Sequence, residues 1–411
     1  MSGATSQAAP RRDAAFPYDV VIVGGFGHVG LPLGITLADK GKRVCALDIN
    51  PAAQETIGAG EMPFHDEGAE EALRRVLGTG KLTLSLDPSA ISRTDTVVFI
   101  IGTPVDRHLN PEFEPMRRIL ESYVPHFRDG QLIVLRSTVY PGMTEKVRSW
   151  LRSEGKDVEL AFCPERIAEG FAMKELVSLP QIISSFTDDG VARARALFET
   201  LTPQVIAIPP IEAELAKLFT NTWRYIKFAA ANQFFMIAND QGADYYRIHQ
   251  AMTTNYERCR DMPGPGFAAG PCLFKDAMQL AAFNNGTFYM GHSAMLVNEG
   301  LPNYVVNMIK RKHDLRNKTV GILGMAFKGN SDDKRESLSY KLKKILIFEA
   351  REVLCSDVHI EEDGFVSTGE LLERCDVVIV GAPHREYRSV RAPEGKLLVD
   401  VWNMSGAGCI I

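Results

Sequence analysis

The chain has 411 residues, more than one hydrophobic core usually holds, so two or three domains are expected. Its net charge of −5 excludes a broad electrostatic attraction to nucleic acid or to an anionic membrane. The seven cysteines are scattered and show no CxxC spacing, so neither disulfides nor a metal site are predicted, and a reducing cytoplasmic compartment is favoured. Residues 1–16 are small and polar and are predicted to be a disordered leader. No apolar run reaches the roughly 18 residues of a membrane span.

The amino-terminal half begins with the pattern of a dinucleotide site. A buried strand runs into GGFGHVG at 24–30, a helical stretch follows, and a second strand ends at Asp48. Gly25 would permit the tight turn, Gly27 would let the backbone approach a pyrophosphate, and Gly30 would allow close helix–strand packing. Asp48 would accept hydrogen bonds from ribose hydroxyls and repel a 2′-phosphate, so NAD is the predicted cofactor. A glycine turn that binds nothing is the alternative.

Three further buried strands are each followed by polar residues. Thr103, Thr138 and Glu165 lie just after these strands. Because the carboxyl ends of parallel strands meet at the edge where ligands of open sheets bind, the three are candidate site residues. Taken singly, each is more often a turn or cap residue.

The middle of the chain, from about Glu212 to Asn239, is predicted to be one long helix because it contains no glycine or proline. Lys217, Asn221 and Arg224 form a polar stripe along this helix. Such a stripe is usually a solvated face. The alternative is that it faces a cleft between domains and contacts a substrate.

A loop rich in glycine and proline then leads to Cys272 at the start of an apolar helical run. Pro271 would open this helix, and a thiol beside the free N–H groups of a helix N-terminus is expected to favour the thiolate. Asp276 lies one turn later on the same face. The pattern predicts an activated nucleophile, with a buried structural cysteine as the alternative. Cys163 follows a strand with no helix behind it and ranks lower.

The carboxyl-terminal third repeats the α/β layout after a helical region expected to end near Pro302. A strand at 318–327 opens a second strand–helix–strand unit, whose second strand ends in an acid, Asp357. A full GxGxxG is missing, so this unit predicts a Rossmann-like domain for a phosphate-bearing ligand other than NAD. Lys328, Lys334 and Arg335 would face the phosphates, or else belong to a solvated basic loop.

Eight segments within residues 18–405 together resemble the nucleotide-sugar 6-dehydrogenase family, which comprises the UDP-glucose and GDP-mannose dehydrogenases. They are GGFGHVG, Gly102-Thr103-Pro104, RSTVYPGMT, CPERIAEG, ELAKLFTNTWR, PGPGFAAGPCLFKD, GMAFKGNSDDKRES and DVVIVGAPHREY. No single segment is decisive, but all eight occur in the family's order. The resemblance implies an α/β fold with two Rossmann-like doubly wound domains, joined by a long central helix and a small helical region.

What the resemblance implies chemically is a four-electron oxidation. The C6 alcohol of a nucleotide sugar would be oxidised to the carboxylate by two NAD⁺ without release of the aldehyde. Cys272 would attack the aldehyde to give a thiohemiacetal and then a thioester. Glu165 would position or activate water, Lys217 and Asn221 would hold the oxyanion, and Asp276 would support the water or Lys217.

The resemblance also assigns residues to the ligands. Those for the cofactor are Gly25, Gly27, His28, Val29, Gly30, Asp48, Thr103, Thr138 and Arg335. Those for the nucleotide sugar are Glu165, Arg166, Glu169, Lys217, Asn221, Arg224, Gly266, Phe267, Gly270, Phe327 and Lys328. Thr138 would also lie near the reacting carbon. Arg258 would enter the substrate site of the neighbouring subunit in a homodimer, with Arg260 as the alternative.

The implied domains are an NAD-binding domain at 17–209, a central helical and dimerisation region at 210–310, and a nucleotide-sugar-binding domain at 311–411. Residues 263–266 and 221–224 favour UDP-N-acetylhexosamines, whereas Lys275 and Asp276 favour UDP-glucose or GDP-mannose. We expect a UDP-sugar and leave the sugar open. The alternatives are a two-electron β-hydroxyacid or 6-phosphogluconate-type dehydrogenase, which needs no cysteine, and a non-catalytic NAD-binding protein.

Overall fold

The computed structural model describes residues 16–102, 113–268, 270, 272–391, 393–409 and 411. The strands are β1 (Val20–Val23), β2 (Val44–Leu47), β3 (Leu82–Ser85), β4 (Thr96–Phe99), β5 (Leu132–Leu135), β6 (Glu159–Phe162), β7 (Gln181–Ser185), β8 (Val205–Ala207), β9 (Thr319–Leu323), β10 (Glu352–Ser356), β11 (Val377–Val380) and β12 (Leu397–Val399). The helices are α1 (Gly30–Asp39), α2 (Pro51–Gly58), α3 (Ala69–Gly78), α4 (Phe113–Glu121), α5 (Met143–Ser153), α6 (Ala172–Ser178), α7 (Asp188–Phe198), α8 (Pro210–Asp240), α9 (Tyr245–Thr253), α10 (Leu273–Phe283), α11 (Tyr289–Lys312), α12 (Leu338–Glu349) and α13 (Thr368–Arg374).

The amino-terminal sheet has eight strands in the order β3-β2-β1-β4-β5-β6-β7-β8. The strands from β1 to β6 are parallel, whereas β7 runs antiparallel to β6. Every residue of β1, β2 and β5 is buried, which is typical of a parallel sheet with helices on both faces. The carboxyl ends of β1, β4, β5 and β6 therefore meet at one edge.

The carboxyl-terminal sheet has four parallel strands in the order β10-β9-β11-β12, which confirms the predicted second Rossmann-like domain. An acid ends the second strand of each domain. Asp48 accepts the N–H of Phe26 at 3.0 Å, and Asp357 accepts those of Met325 and Ala326 at 2.5 and 3.1 Å. Each carboxylate thus fixes the loop after the first strand of its domain.

The helix α8 links the two domains and packs against α10 and α11. It has 31 residues and begins with Pro210, whose missing N–H is not needed in a first turn. The middle region is predicted to end near Pro302, and the helix α11, which crosses this limit, continues through the buried proline to Lys312. Its neighbours Leu301 and Val305 are completely buried, so packing outweighs the local cost of the proline. Among the described helices, none has both the length and the hydropathy needed to cross a membrane.

Candidate active site

The loop between β1 and α1 has the shape of a phosphate-binding turn. Gly24, with φ 77°, makes the tight turn, so the role predicted for Gly25 belongs to its neighbour. A Cβ at Gly25 would lie 2.8 Å from Ala46, and one at Gly30 would lie 2.1 Å from the carbonyl oxygen of Gly24. Both glycines are therefore required by packing. A Cβ at Gly27 would meet nothing nearer than 3.7 Å, so this backbone is open to a phosphate beside the N-terminus of α1.

The remaining predicted cofactor residues surround this turn. Asp48 is half-buried at the end of β2, where its carboxylate can accept hydrogen bonds from ribose hydroxyls. Val29 is the N-cap of α1, and the His28 ring packs on Phe64 with 4.1 Å between ring centroids. Burial, and then the charge of Arg335, lower the pKa of His28, so the ring is neutral near pH 7. These groups fit NAD.

Cys272 is the exposed N-cap of α10, as predicted, and its carbonyl oxygen accepts the N–H of Asp276 at 2.9 Å. The surrounding protein displaces water from the thiol although solvent still reaches it. This desolvation, and then the charge of Asp276, raise the pKa of Cys272, whereas Lys217 and Lys275 lower it. The net direction is opposite to the predicted preference for thiolate, and desolvation is its largest cause. Pro271 lies outside the described residues.

The rival nucleophile Cys163 does not compete. Its side chain is completely buried, and burial raises its pKa to about 12. Cys45, Cys355, Cys375 and Cys409 are also buried, and Cys259 is half-buried. Cys272 is the exposed thiol of the chain.

Lys217 and Asn221 on α8 are buried, with 9% and 5% exposure, so they do not form a solvated face. The Asn221 amide donates to Asp276 Oδ2 at 2.6 Å. Asp276 is 1% exposed, and its Oδ1 has no hydrogen-bond partner among the described residues. Arg224, farther along the predicted stripe, is exposed.

The charged groups around Cys272 act strongly on one another. Burial lowers the pKa of Lys217, and the charges of Asp276, Cys272 and Glu165 oppose that shift. Burial raises the pKa of Asp276, and Lys217 opposes that shift in turn. A lysine and an asparagine amide thus lie beside an exposed thiol. This arrangement can donate to an oxyanion that forms when the sulfur adds to a carbonyl group.

Glu165 lies three residues after β6 and forms a buried ion pair with Arg136, which lies directly after β5. Its Oε1 accepts the N–H groups of Arg166 and Ile167 at 2.6 and 2.9 Å. The Arg166 guanidinium donates to the carbonyl oxygen of Pro180. Glu165 is therefore held in place on both of its oxygens, and the sequence had indicated no role for Arg136.

A second charged group joins the loops of the two domains. Arg335 Nε donates to both carboxylate oxygens of Asp333 at 3.0 and 2.9 Å, and its Nη2 donates to Glu169 at 3.2 Å. Lys328 Nζ donates to the main-chain oxygen of Glu169. Burial, and then Asp333, raise the pKa of Glu169 to about 7. Glu169 can therefore gain or lose a proton near neutral pH, as a general base must.

Cations from two elements converge near this junction. Burial lowers the pKa of Lys328, whereas the charge of Glu169 raises it. The positive charge of Arg224 on α8 lowers this pKa further. Arg224 has no ion pair with any described residue and also lowers the pKa of Lys217. Cations that repel one another in a cleft are suited to an anionic ligand such as a diphosphate.

The loop before Cys272 is fixed by packing. Gly270 has φ 106°, and a Cβ there would lie 2.5 Å from the Phe327 ring. The N–H of Gly266 donates to Asn232 Oδ1 at 2.8 Å, and the amide of Asn232 donates back to its carbonyl oxygen at 3.1 Å. Phe267 is 2% exposed, so its side chain anchors the loop in the core and does not face a ligand.

Three predicted site residues lie apart from these contacts. Thr138 is half-buried after β5 and makes no side-chain hydrogen bond within the described chain. Thr103 lies outside the described residues. Arg258 is exposed on a short helical turn and makes no ion pair with the described part of the chain, whereas Arg260 pairs with Glu257 at 3.3 Å. Arg258 is therefore the freer of the two arginines.

One cluster has the composition of a metal site: His359, His384 and Glu386 place their ligand atoms within 4.8 Å of one another. His384 Nδ1 accepts the N–H of Asn330 at 2.9 Å, and its Nε2 lies 3.2 Å from Asp357. Both ring nitrogens of His384 are already used, so the cluster holds together the loops of the second domain.

Comparison with known proteins covers all three parts of the chain. Residues 19–202 match the NAD binding domain of the UDP-glucose/GDP-mannose dehydrogenase family, residues 211–299 its central domain, and residues 321–407 its UDP binding domain. The chain is 27% identical to the UDP-N-acetyl-D-mannosamine dehydrogenase of Yersinia pestis over 92% of this chain and 97% of that protein.

Solved structures show the same similarity. The UDP-glucose dehydrogenase of the archaeon Pyrobaculum islandicum superposes with a TM-score of 0.85, 26% identity and 96% of each chain covered. The UDP-D-ManNAc dehydrogenase of Pyrococcus horikoshii superposes with a TM-score of 0.86 and 25% identity, over 94% of this chain and 95% of that one. The likeness extends over both sheets and the helices between them.

Proposed function

The chain belongs to the UDP-glucose/GDP-mannose dehydrogenase family, and we propose that it oxidises the C6 hydroxyl of a UDP-sugar to the carboxylate in two NAD-dependent steps. The predicted family, the enzyme class and NAD as the cofactor are confirmed by the domain matches. The sugar, UDP-glucose or a UDP-N-acetylhexosamine, and the covalent mechanism belong to the proposal. So do the domain limits at 17–209, 210–310 and 311–411.

The observation that carries the proposal is the convergence of one exposed thiol with two buried donors. Cys272 lies within electrostatic reach of Lys217, and Asn221 is joined to Asp276 on the helix that Cys272 caps. A two-electron dehydrogenase has no use for such a thiol. A protein that only binds NAD has no use for the buried lysine, whose desolvation costs free energy.

Cys272 acts as the nucleophile in this mechanism. NAD would be held by the β1–α1 loop and would supply the hydride acceptor for both oxidations. The sulfur of Cys272 adds to the C6 aldehyde, and Lys217 and Asn221 donate to the oxygen on which negative charge develops. Lys217 also favours the thiolate, because its charge lowers the pKa of Cys272. The second oxidation leaves a thioester on Cys272.

Hydrolysis of the thioester needs an ordered water and a base. Glu165, fixed by Arg136 and two main-chain N–H groups, positions the water. Glu169, with a pKa of about 7, accepts its proton. Attack of the water on the thioester carbon breaks the C–S bond, releases the uronate and returns the thiolate of Cys272.

The diphosphate of the UDP-sugar binds where Lys328 and Arg224 converge, between α8 and the loop after β9. Phe327 and Gly270 hold that loop against the segment leading to Cys272. A ligand that bridges these elements joins the second domain to the nucleophile. This supports a nucleotide sugar as the substrate rather than a small hydroxyacid.

The exposed apolar face of the central helices supports a homodimer. Large apolar side chains that are about half or more exposed are Phe219, Trp223, Phe234 and Ile237 on α8 and Tyr289, Met290 and Leu296 on α11. Exposed apolar surface of this extent usually marks an interface. In the dimer, Arg258 of each subunit would reach the substrate site of the other.

A panel of UDP-glucose, UDP-N-acetylglucosamine, UDP-N-acetylmannosamine and GDP-mannose tests the proposal, with NADH counted per sugar consumed. A true UDP-sugar substrate is expected to yield two NADH per molecule. One NADH per molecule would support the two-electron alternative. No NADH with any of the four would support a protein that only binds NAD.

A further inference from the structure

Arg136 is completely buried where β5 ends, and both terminal nitrogens of its guanidinium donate hydrogen bonds, whereas its Nε has no partner among the described residues. Its Nη1 donates to the carbonyl oxygen of Cys163 at 3.2 Å, and its Nη2 donates to Glu165 and to Gln181 Oε1 at 3.1 Å. Its Cζ lies 4.7 Å from the centroid of the Phe198 ring. A buried cation is tolerated only with such partners, so Arg136 is committed to this one arrangement.

Glu165 is fixed from the opposite side by the main chain. Its Oε1 accepts the N–H groups of Arg166 and Ile167 at 2.6 and 2.9 Å. The carboxylate therefore has three donors on its two oxygens, and it cannot rotate without losing at least one of them. Since Glu165 is 8% exposed, water does not readily replace a lost donor.

The orientation of Glu165 matters because its charge acts on Lys217. The carboxylate raises the pKa of Lys217 and so opposes the loss of its proton through burial. The carboxylate is also the group to which we assign the positioning of water. Removal of Arg136 would leave a buried carboxylate without its cation, and such a group either turns away or takes up a proton.

We propose that Arg136 is a positioning residue for the oxidation, which holds the carboxylate of Glu165 in a single orientation beside Lys217. This inference rests on the proposed function and deepens it. Arg136 acts entirely through Glu165 and contacts neither substrate nor cofactor. Its loss is therefore expected to slow turnover while leaving the binding of NAD and of the UDP-sugar nearly unchanged.

The test is a double-mutant cycle that combines Arg136→Met with Glu165→Gln. Arg136→Met alone is expected to lower kcat by roughly 100-fold, the usual order for a misplaced catalytic group, with KM changed less than about twofold. In the Glu165→Gln background it is expected to lower kcat by less than about threefold, because the group through which it acts is already altered.

Arg136→Lys keeps the charge and is expected to recover part of the lost kcat. If Arg136→Met does not fold, the double-mutant cycle is measured with Arg136→Lys in its place. Arg193→Met is a matched control, because Arg193 on α7 is also a partly buried arginine in the NAD-binding domain, pairs with Asp95 at 2.9 Å and makes no hydrogen bond or ion pair with Glu165 among the described contacts. Its kcat per folded enzyme, with the folded fraction taken from circular dichroism, should match wild type.

Two outcomes would overturn the inference, and only the second would also overturn the proposed function. Equal fold-losses of kcat in both backgrounds, with no recovery in Arg136→Lys, would show that Arg136 only supports folding. The proposed function would then stand, since wild type still turns over. Absence of NADH from wild type with every sugar would overturn the proposed function and this inference together.

Discussion

Substitutions at three glycines, Gly27 in the cofactor loop and Gly30 and Gly34 in α1, distinguish an effect on folding from an effect on NAD binding. Alanine at Gly30 would place its Cβ 2.1 Å from the carbonyl oxygen of Gly24, so the backbone must shift. Overpacking of this kind costs about 1–3 kcal/mol. At Gly27 the nearest atom is 3.7 Å away, so alanine leaves the fold intact but fills space next to the phosphate. A Cβ at Gly34, which lies within α1, would be 3.5 Å from its nearest neighbour. Alanine fits there and stabilises the helix by about 1 kcal/mol relative to glycine, because its helix propensity is higher.

The assay measures thermal unfolding together with the dissociation constant of NAD by titration calorimetry. Gly30→Ala is expected to lower Tm by several degrees, at roughly 2–4 °C per kcal/mol, and to weaken NAD binding. Gly27→Ala should keep the wild-type Tm and lose roughly tenfold or more in NAD affinity, since it blocks the backbone from the pyrophosphate. Gly34→Ala is the matched control, with wild-type affinity and an equal or higher Tm. Wild-type NAD affinity in Gly27→Ala, or wild-type Tm in Gly30→Ala, would refute the reasoning.

Three further predictions concern the catalytic cleft. Lys217→Met removes an oxyanion donor and is expected to lower kcat by ~10²–10³-fold in steady-state NADH assays, and a change in KM alone would contradict this role. Folding raises the pKa of Glu169 from 4.5 to about 7, so the folded state binds the extra proton and the stability of wild type falls as pH rises between these values. The Tm advantage of Glu169→Gln over wild type should thus grow from about pH 5 to about pH 7, and a constant difference would rule this out. Arg258→Ala should raise the KM for the UDP-sugar roughly tenfold, and Arg260→Ala should raise it much less. Mixing Arg258→Ala subunits with Cys272→Ala subunits should restore activity only if Arg258 enters the substrate site of the neighbouring subunit.

The sequence predicts best the elements that carry their own local signal. The buried apolar strands β1, β5 and β6 occur where the sequence predicts them, ahead of GGFGHVG, Thr138 and Glu165, and acids follow the second strand of both domains. The strand β7 had no such signal, because it contains a glutamine and two serines and yet is wholly buried. Its Ser184 and Ser185 hydroxyls donate to carbonyl oxygens of β6 at 2.7 Å. This partner strand becomes known only from the fold.

The same limit applies to the site. A helix N-terminus at Cys272 is readable from the loop before it, but the desolvation of the thiol depends on residues from other elements. The pairing of Arg136 with Glu165 joins positions 29 residues apart. One signal did exist, since Arg136 directly follows β5 and Glu165 lies three residues after β6, and charged residues at neighbouring strand ends can meet. The burial of Arg136, which is completely buried, and of Glu165, which is 8% exposed, becomes known only from the fold.

The central claim is that Cys272 carries the sugar through the second oxidation, and NADH counted per sugar in Cys272→Ser tests it most directly. Wild type is expected to form two NADH for each UDP-sugar consumed. The serine variant, which lacks a nucleophile able to form the thioester, is expected to stall with no more than one NADH per sugar. Two NADH per sugar over many turnovers of Cys272→Ser would contradict the account.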